Sequence, residues 1–216
     1  MNFGMNRGLL LDLDGVVCDS LPALRQAYRG FLAGLGAEPS DAEFDALNGP
    51  PLAEVVRRLA GAHGLAADPE ALLADYRARV AEAHAAAGPA AGALEVLREA
   101  QDIGWRIAVV TSAPEASAAA WIGRSGLDPY VEILVHGEAV ARGKPDPEPY
   151  LTAAARLGCS PGACLAVEDS EPGARAALAA GVPTYFLGPE PPAVLAGDRL
   201  LIGALTRFSD LGAALR

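Results

Sequence analysis

Between Ala93 and Leu187, segments with the helical spacing of apolar residues alternate with short, largely apolar runs. Such runs favour strands that are buried on both faces, because a half-exposed strand alternates polar and apolar side chains. The alternation of helices with buried strands is typical of a parallel sheet covered by helices. The predicted strands are Arg106–Thr111, Glu132–Val135, Ala163–Val167 and Thr184–Leu187, with an edge strand at Arg199–Ile202, and the predicted helices are Leu94–Ile103, Glu115–Ser125, Pro147–Leu157 and Arg175–Ala180, with a short terminal helix.

A further apolar run, Leu9–Leu11, lies near the start of the chain and predicts one more buried strand. Asp12 and Asp14 follow it directly, and Gly15 provides the backbone freedom for a turn. Aspartate also ends strands and caps turns without any chemical role. However, ligands of open α/β sheets bind at the carboxyl ends of the strands, so we expect both carboxylates to face a site.

The segment between these two groups of strands has only helical patterns. Its predicted helices are Pro22–Leu35, Ser40–Leu47, Pro51–His63 and Pro69–Ala86. Ser40 and Glu43 have the spacing of a capping box. We therefore predict an α/β fold in which residues 1–20 and 89–216 form a Rossmann-like parallel-sheet core flanked by helices. Residues 21–88, called the helical segment below, are predicted to be an inserted all-α cap.

Composition limits the partners of such a chain. A net charge of −10 argues against nucleic-acid binding, which depends on clustered positive charge. The three scattered cysteines predict buried, reduced thiols. No signal peptide or membrane span is apparent, so we expect a cytoplasmic protein. Of the 17 basic residues only Lys144 is lysine, which suggests a position that needs a compact charge instead of a planar one.

Polar residues also follow the later predicted strands. Thr111 and Ser112 end the second strand, Glu168 and Asp169 end the fourth, and Lys144 lies in the loop after the third. Right-handed crossovers bring the carboxyl ends of parallel strands to one edge of the sheet. So many carboxylates at one edge raise one another's pKa unless a cation is present. Mg²⁺ is the predicted cofactor, because it binds carboxylates together with water and a substrate phosphate.

These residues form four motifs in a recognisable order. They are Asp12-Leu13-Asp14-Gly15-Val16, Thr111-Ser112, Gly143-Lys144-Pro145-Asp146-Pro147 and Glu168-Asp169-Ser170. The ordered set resembles the phosphatases of the haloacid dehalogenase superfamily that carry a small helical cap, in the phosphoglycolate phosphatase-like and β-phosphoglucomutase-like branch. The resemblance implies a Mg²⁺-dependent phosphomonoester hydrolase for a small phosphorylated metabolite, such as phosphoglycolate or a sugar phosphate. We further expect a monomer or homodimer with no nucleic-acid or membrane partner.

The resemblance also implies a role for each motif residue. Asp12 would attack phosphorus and form an aspartyl-phosphate, and Asp14 would act as general acid and base. Thr111 and the backbone N–H of Ser112 would hold the phosphoryl oxygens, and Lys144 would bridge the nucleophile and the phosphate. The metal ligands would be Asp12, the main-chain carbonyl of Asp14, Asp169, and Glu168 either directly or through water. The loop Asn48, Gly49 and Pro50 resembles the cap loop that selects substrates.

Two other functions remain open on the sequence. The first is a β-phosphoglucomutase-like phosphoryl transferase, but the mutase's helper histidine and its phosphate-binding cap arginine would fall by spacing at Leu24 and Leu52. The second is a non-catalytic protein that binds a phosphorylated metabolite. Phosphonate cleavage through a cap lysine is excluded, because the helical segment contains no lysine. Arg57 and Arg58 are interpreted as a solvated helix face, and the segment's histidines are given no catalytic role.

Overall fold

A six-stranded sheet forms the centre of the fold in a computed structural model that describes residues 7–47 and 49–216. The strands are β1 (Arg7–Leu11), β2 (Trp105–Val110), β3 (Ile133–Val135), β4 (Cys164–Glu168), β5 (Thr184–Leu187) and β6 (Leu201–Leu205). Their order is β3-β2-β1-β4-β5-β6, and all neighbouring strands are parallel. The predicted parallel sheet is therefore confirmed, with β1 and β4 in the middle.

The helices agree closely with the sequence pattern. They are α1 (Leu21–Gly34), α2 (Asp41–Ala46), α3 (Leu52–His63), α4 (Pro69–Ala86), α5 (Ala93–Asp102), α6 (Glu115–Ser125), α7 (Glu148–Arg156), α8 (Glu171–Ala179) and α9 (Leu211–Ala214). The main difference is α8, which begins at Glu171 and not at Arg175. The side chain of Ser170 caps this helix by accepting a hydrogen bond from Gly173 N. In the described part of the chain, no helix combines the length and the apolar character needed to cross a membrane.

Each face of the sheet is covered by helices, as expected for a sheet with apolar strands. The side chains of Leu9 and Leu11 pack into one hydrophobic cluster with α5, α6 and α9. Leu10 points to the opposite face and packs with α7 and α8. The three cysteines are free and buried in these two clusters, which confirms their predicted state. The strands are thus held in place from both sides, and so are the loops that leave them.

The helical segment has a hydrophobic cluster of its own, formed by α1 to α4. Tyr28, Phe31 and Leu59 are fully buried in it. The two chain connections between this segment and the sheet run side by side: Asp19 N donates to Gly88 O at 3.0 Å, and Ala90 N donates to Val17 O at 2.9 Å. The domain boundaries at residues 20 and 89 remain a prediction, and this paired connection lies next to both of them.

Candidate active site

The polar residues expected at one edge of the sheet do meet there. Leu11 lies opposite Val109 on one side and Val167 on the other, so β1 ends one residue before β2 and β4. Asp12 N continues the pairing by donating to Val167 O at 3.1 Å. Asp12, Thr111 and Glu168 are therefore neighbours, and all three are buried.

Lys144 is the centre of a buried charge network at this edge. Its Nζ donates hydrogen bonds to Asp12 Oδ1, to Glu168 Oε1 and, at 3.0 Å, to Val110 O. Burial opposes the charged form of Lys144, but the two carboxylates outweigh it and raise its pKa. Burial raises the pKa of Asp12, Lys144 lowers it, and the neighbouring carboxylates raise it further. The single lysine thus holds together two acids from different strands.

Both carboxylate oxygens of Glu168 accept hydrogen bonds from other side chains. Besides Lys144, Tyr150 donates its hydroxyl to Oε1 at 2.5 Å, and Ser170 donates to Oε2 at 3.2 Å. Glycine at position 173 makes this arrangement possible, because a Cβ there would lie 2.1 Å from the Glu168 carboxylate. Glu168 is therefore fixed in orientation by its surroundings.

Three carboxylates are close enough to share a cation. Oxygens of Asp12, Glu168 and Asp169 all lie within 4.8 Å of one another. An all-oxygen donor set with like charges fits Mg²⁺, which favours one or two carboxylates and retains several waters. Glu168 already accepts two hydrogen bonds at Oε1 and one at Oε2, so Oε2 retains a lone pair that could bind such an ion directly or through water. The cluster thus fits the predicted metal, with Asp12, Glu168 and Asp169 as its carboxylates.

The turn after β1 is shaped to bring its backbone against this cluster. Gly15 has a φ of +79°, a conformation that side chains disfavour. A Cβ at this position would also lie 2.1 Å from Asp169 Oδ2. Glycine is therefore required here for two reasons, and it lets the chain double back beside Asp14.

Asp14 contacts Ser20 and His84, neither of which was assigned to the site from the sequence. Its Oδ1 accepts a hydrogen bond from Ser20 Oγ at 2.6 Å. The same oxygen lies 2.8 Å from His84 Nε2, an ion-pair distance, although the two groups are not aligned as a hydrogen bond. His84 is buried in the last turn of α4; burial lowers its pKa, but the contact with Asp14 outweighs this and raises it. Helical spacing alone could not reveal this contact, since it depends on how α4 returns to the first loop.

The predicted phosphate-binding residues lie beside Asp12. Thr111 is buried, and its Oγ1 accepts a hydrogen bond from Ala113 N at 3.0 Å. Ser112 Oγ donates to the carbonyl of Gly49 at 2.8 Å, which connects the sheet edge to the predicted cap loop. Gly49 and Pro50 both line the cleft described next, whereas Asn48 lies outside the described residues.

A cleft lies between the sheet edge and the helical segment. Its volume is about 930 Å³, including the open mouth. The sheet side contributes the polar residues Asp12, Asp14, Thr111, Ser112, Lys144 and Asp169. Leu24 and Leu52, the positions that a mutase would fill with a histidine and an arginine, line the opposite side. The described part of the cleft therefore has no cation at either of these two positions.

The arginines of the helical segment differ in their surroundings. Arg57 and Arg58 both pair with Glu54 on the exposed face of α3, which confirms their interpretation as a solvated face. Arg77, which the sequence analysis did not single out, lies on α4 and lines the cleft. It is exposed, so its guanidinium can reach a molecule bound there.

Comparison with known proteins agrees with this geometry. Residues 7–181 match the family model of haloacid dehalogenase-like hydrolases. The chain is 32% identical over 202 residues to a plasmid phosphoglycolate phosphatase of Cupriavidus necator, covering 89% of this chain and 87% of that protein. It is 35% identical over 179 residues to hexitol phosphatase A of Escherichia coli, covering 81% and 80%.

A solved structure resembles the whole fold. A HAD family hydrolase from Deinococcus radiodurans, crystallised with bound phosphate and sodium, superposes with a TM-score of 0.75 at 30% identity and covers 97% of this chain and 95% of that one. The similarity includes the helical segment as well as the sheet. The chain therefore belongs to the haloacid dehalogenase-like hydrolase family, within its phosphatases.

Proposed function

We propose that this chain is a Mg²⁺-dependent phosphomonoester hydrolase that works through an aspartyl-phosphate on Asp12. The observation that carries the proposal is the buried contact of Asp12 with Lys144 next to Thr111 and Ser112. A nucleophilic carboxylate must approach an anionic phosphate, and a buried ammonium beside it offsets the repulsion. A purely structural ion pair would have no need of the adjacent phosphate-binding groups or of a cleft.

Each residue at the sheet edge then has one task. Asp12 attacks phosphorus, the bond to the leaving oxygen breaks, and the phosphoryl group is transferred to the carboxylate. The Thr111 hydroxyl and the Ser112 backbone N–H bind the non-bridging oxygens, and Lys144 balances their charge. Asp12, Asp169, the Asp14 carbonyl and, directly or through water, Glu168 would hold Mg²⁺. When bound, the ion would neutralise charge on the phosphoryl oxygens.

Asp14 is the proposed general acid and base. It protonates the leaving alkoxide in the first step. In the second step it removes a proton from the water that attacks phosphorus, and the bond between phosphorus and the Asp12 oxygen breaks, which releases phosphate and restores the carboxylate. Ser20 donates a hydrogen bond to Asp14 Oδ1, His84 lies against the same oxygen, and Asp14 lines the cleft. Ser20 and His84 are positioning residues, because they act on Asp14 and not on the substrate.

The helical segment is proposed to act as a cap that excludes bulk water while the aspartyl-phosphate forms. Contacts between Gly49 and Ser112 close the loop over the sheet edge. The paired connections at Val17–Asp19 and Gly88–Ala90 are the proposed hinge. They let the cap tilt as a unit, since its hydrophobic cluster is separate from those of the sheet.

The substrate is proposed to be a small phosphorylated metabolite of the phosphoglycolate or sugar-phosphate type, the classes in the names of the two relatives. The apolar residues Leu24 and Leu52 favour hydrolysis over a mutase reaction, which has to bind a second phosphate. We propose a cytoplasmic enzyme that is a monomer or a homodimer.

Phosphate release measures this function directly. We expect Mg²⁺-dependent hydrolysis of an aryl phosphate that is lost in Asp12→Asn, with the thermal unfolding midpoint retained as evidence of folding. Asp102→Asn, which changes an exposed acid at the end of α5, is the matched control and should keep the activity. Isomerisation of glucose phosphates without phosphate release would support the mutase, and binding without any turnover would support the non-catalytic protein.

A further inference from the structure

The side of the cleft formed by the helical segment is apolar. Its described residues include Leu24, Phe44, Leu47, Leu52, Val55 and Val80. Phe44, Val55 and Val80 also belong to the hydrophobic cluster of the segment, so they cannot turn away from the cleft without disturbing its packing. Among the described residues, the polar ones on this side are Tyr76, Arg77 and His84, and His84 already contacts Asp14.

This lining disfavours a polyhydroxylated substrate. Each sugar hydroxyl that leaves water must find a hydrogen-bond partner, and an unsatisfied one costs roughly 1–3 kcal/mol. The aliphatic side chains of Leu24, Leu52 and Val55 offer no such partner. A substrate with a hydrocarbon body, by contrast, gains free energy by covering them.

Arg77 is distinguished from the other arginines of the helical segment by its lack of a partner. Arg25 and Arg29 pair with Asp41, Arg57 and Arg58 pair with Glu54, and Arg79 pairs with Asp75. No hydrogen bond or ion pair to Arg77 exists among residues 7–47 and 49–216. Arg77 is therefore the arginine of the helical segment that lines the cleft and has no ion-pair partner within the described part of the chain.

The position of Arg77 places this charge away from the reacting phosphate. Arg77 and His84 are both on α4, seven residues apart, which is about two helical turns. They therefore lie on similar faces of the helix and roughly 10 Å apart along its axis. Since His84 contacts Asp14, Arg77 lies about two turns of α4 away from the general acid, and both residues line the cleft.

We propose that the substrate is a phosphomonoester whose apolar body ends in a carboxylate, and that Arg77 binds this carboxylate. The inference rests on the proposed phosphatase function and narrows its substrate class. A single guanidinium matches one carboxylate in a bidentate pair. A second phosphate would bring a further negative charge into a cleft that already contains the carboxylates of Asp12, Asp14 and Asp169.

Three six-carbon phosphates test the proposal: hexyl phosphate, its analogue with a terminal carboxylate, and sorbitol phosphate. For the unmodified enzyme we expect kcat/KM to be highest for the carboxylated compound and lowest for sorbitol phosphate. Arg77→Gln should lower kcat/KM for the carboxylated compound by about 10- to 100-fold, the range of a charge-assisted pair. The value for hexyl phosphate should stay within about twofold, because that compound makes no ionic contact with Arg77.

Two further variants separate recognition from general effects. Arg79→Gln removes a neighbouring arginine whose charge is paired with Asp75, so it should leave all three values unchanged. Arg77→Glu should reverse the preference, so that a hexyl phosphate with a terminal amine becomes better than the carboxylated compound. A merely structural role of Arg77 would not produce this reversal.

The outcomes that contradict the inference are distinct from those that contradict the phosphatase. Equal losses for the carboxylated and the plain hexyl phosphate in Arg77→Gln would overturn it, and so would a preference for sorbitol phosphate. In both cases an aryl phosphate would still be hydrolysed with Mg²⁺. Failure to hydrolyse the aryl phosphate as well would instead refute the proposed function, and the inference with it.

Discussion

Replacement of Lys144 by methionine should destabilise the protein strongly, and the structure sets the scale. Methionine keeps most of the length and removes the charge. Asp12 and Glu168 would then be buried without a counter-charge, next to Asp169. Removing one partner of a buried ion pair typically costs about 3–5 kcal/mol. Because the chain has 216 residues, this corresponds to a decrease in Tm of very roughly 6–20 °C.

The matched control is Arg142→Met, two positions earlier in the same loop. Arg142 pairs with Asp146 and Glu148, but its side chain is 72% exposed. Exposed pairs contribute at most about 1 kcal/mol, so this variant should unfold close to the unmodified protein. Both variants change one positive charge to methionine, and they differ in burial.

Urea unfolding followed by circular dichroism measures both variants, with the slope m compared to detect changes in the unfolded state. Phosphate release is recorded on the same samples, and Lys144→Met should have no measurable activity. If Lys144→Met lost less than about 1 kcal/mol at unchanged m, the buried carboxylates would not depend on Lys144. Lys144 would then not be what holds the nucleophile in place.

Two other predictions follow from close contacts. Gly173→Ala should reduce kcat by about 10²-fold or more, because its Cβ would displace the carboxylate of Glu168. Gly162→Ala is the control, because the space around Gly162 is open, and it should keep the kcat of the unmodified protein. Equal kcat values for the two variants would refute the requirement for glycine at position 173. Burial raises the pKa of Glu43, but hydrogen bonds with Tyr28 and His63 outweigh this effect and lower the pKa. Glu43→Gln should therefore lower the free energy of unfolding by up to about 1 kcal/mol above pH 4.5. The difference between the variant and the unmodified protein should disappear as the pH falls through the lowered pKa of Glu43. A difference that persists in acid would contradict this prediction.

The sequence predicted most elements because local signals and packing agree. The helix Pro69–Ala86 has a proline in its first turn, and Asp68 caps it by accepting a hydrogen bond from Ala71 N. The helix Glu115–Ser125 ends at Gly126, which adopts a left-handed backbone conformation. The predicted start of α8 at Arg175 is wrong, because Pro172 suggests a break in the helix. Proline is tolerated in the first turn of a helix, and Pro172 lies in the first turn of α8. The edge strand was predicted at Arg199–Ile202 but lies at Leu201–Leu205, where only one neighbouring strand fixes its register.

Some residues of the site could be placed from the sequence, and others could not. Asp12, Thr111 and Glu168 could be placed together from the sequence, because parallel strands end at one edge and each residue lies at the carboxyl end of its predicted strand. His84 and Arg77 could not be placed, because helical spacing does not specify which face of α4 meets the sheet. The packing of α1 and α3 against α4 decides that orientation.

By itself, the sequence determined the parallel sheet, the inserted helices and the acids and lysine at the strand ends. These features follow from short-range patterns, since buried strands must be apolar. Charged residues directly after such strands indicate a ligand site at the edge of the sheet. Only the tertiary structure decided that Glu168 is fixed by Lys144 and Tyr150 and that His84 contacts Asp14. It also decided that Arg77, which pairs with none of the described residues, lines a cleft with an apolar side. Such contacts join residues far apart in the chain, and their distances depend on how the helical segment packs over the sheet, which no local pattern encodes.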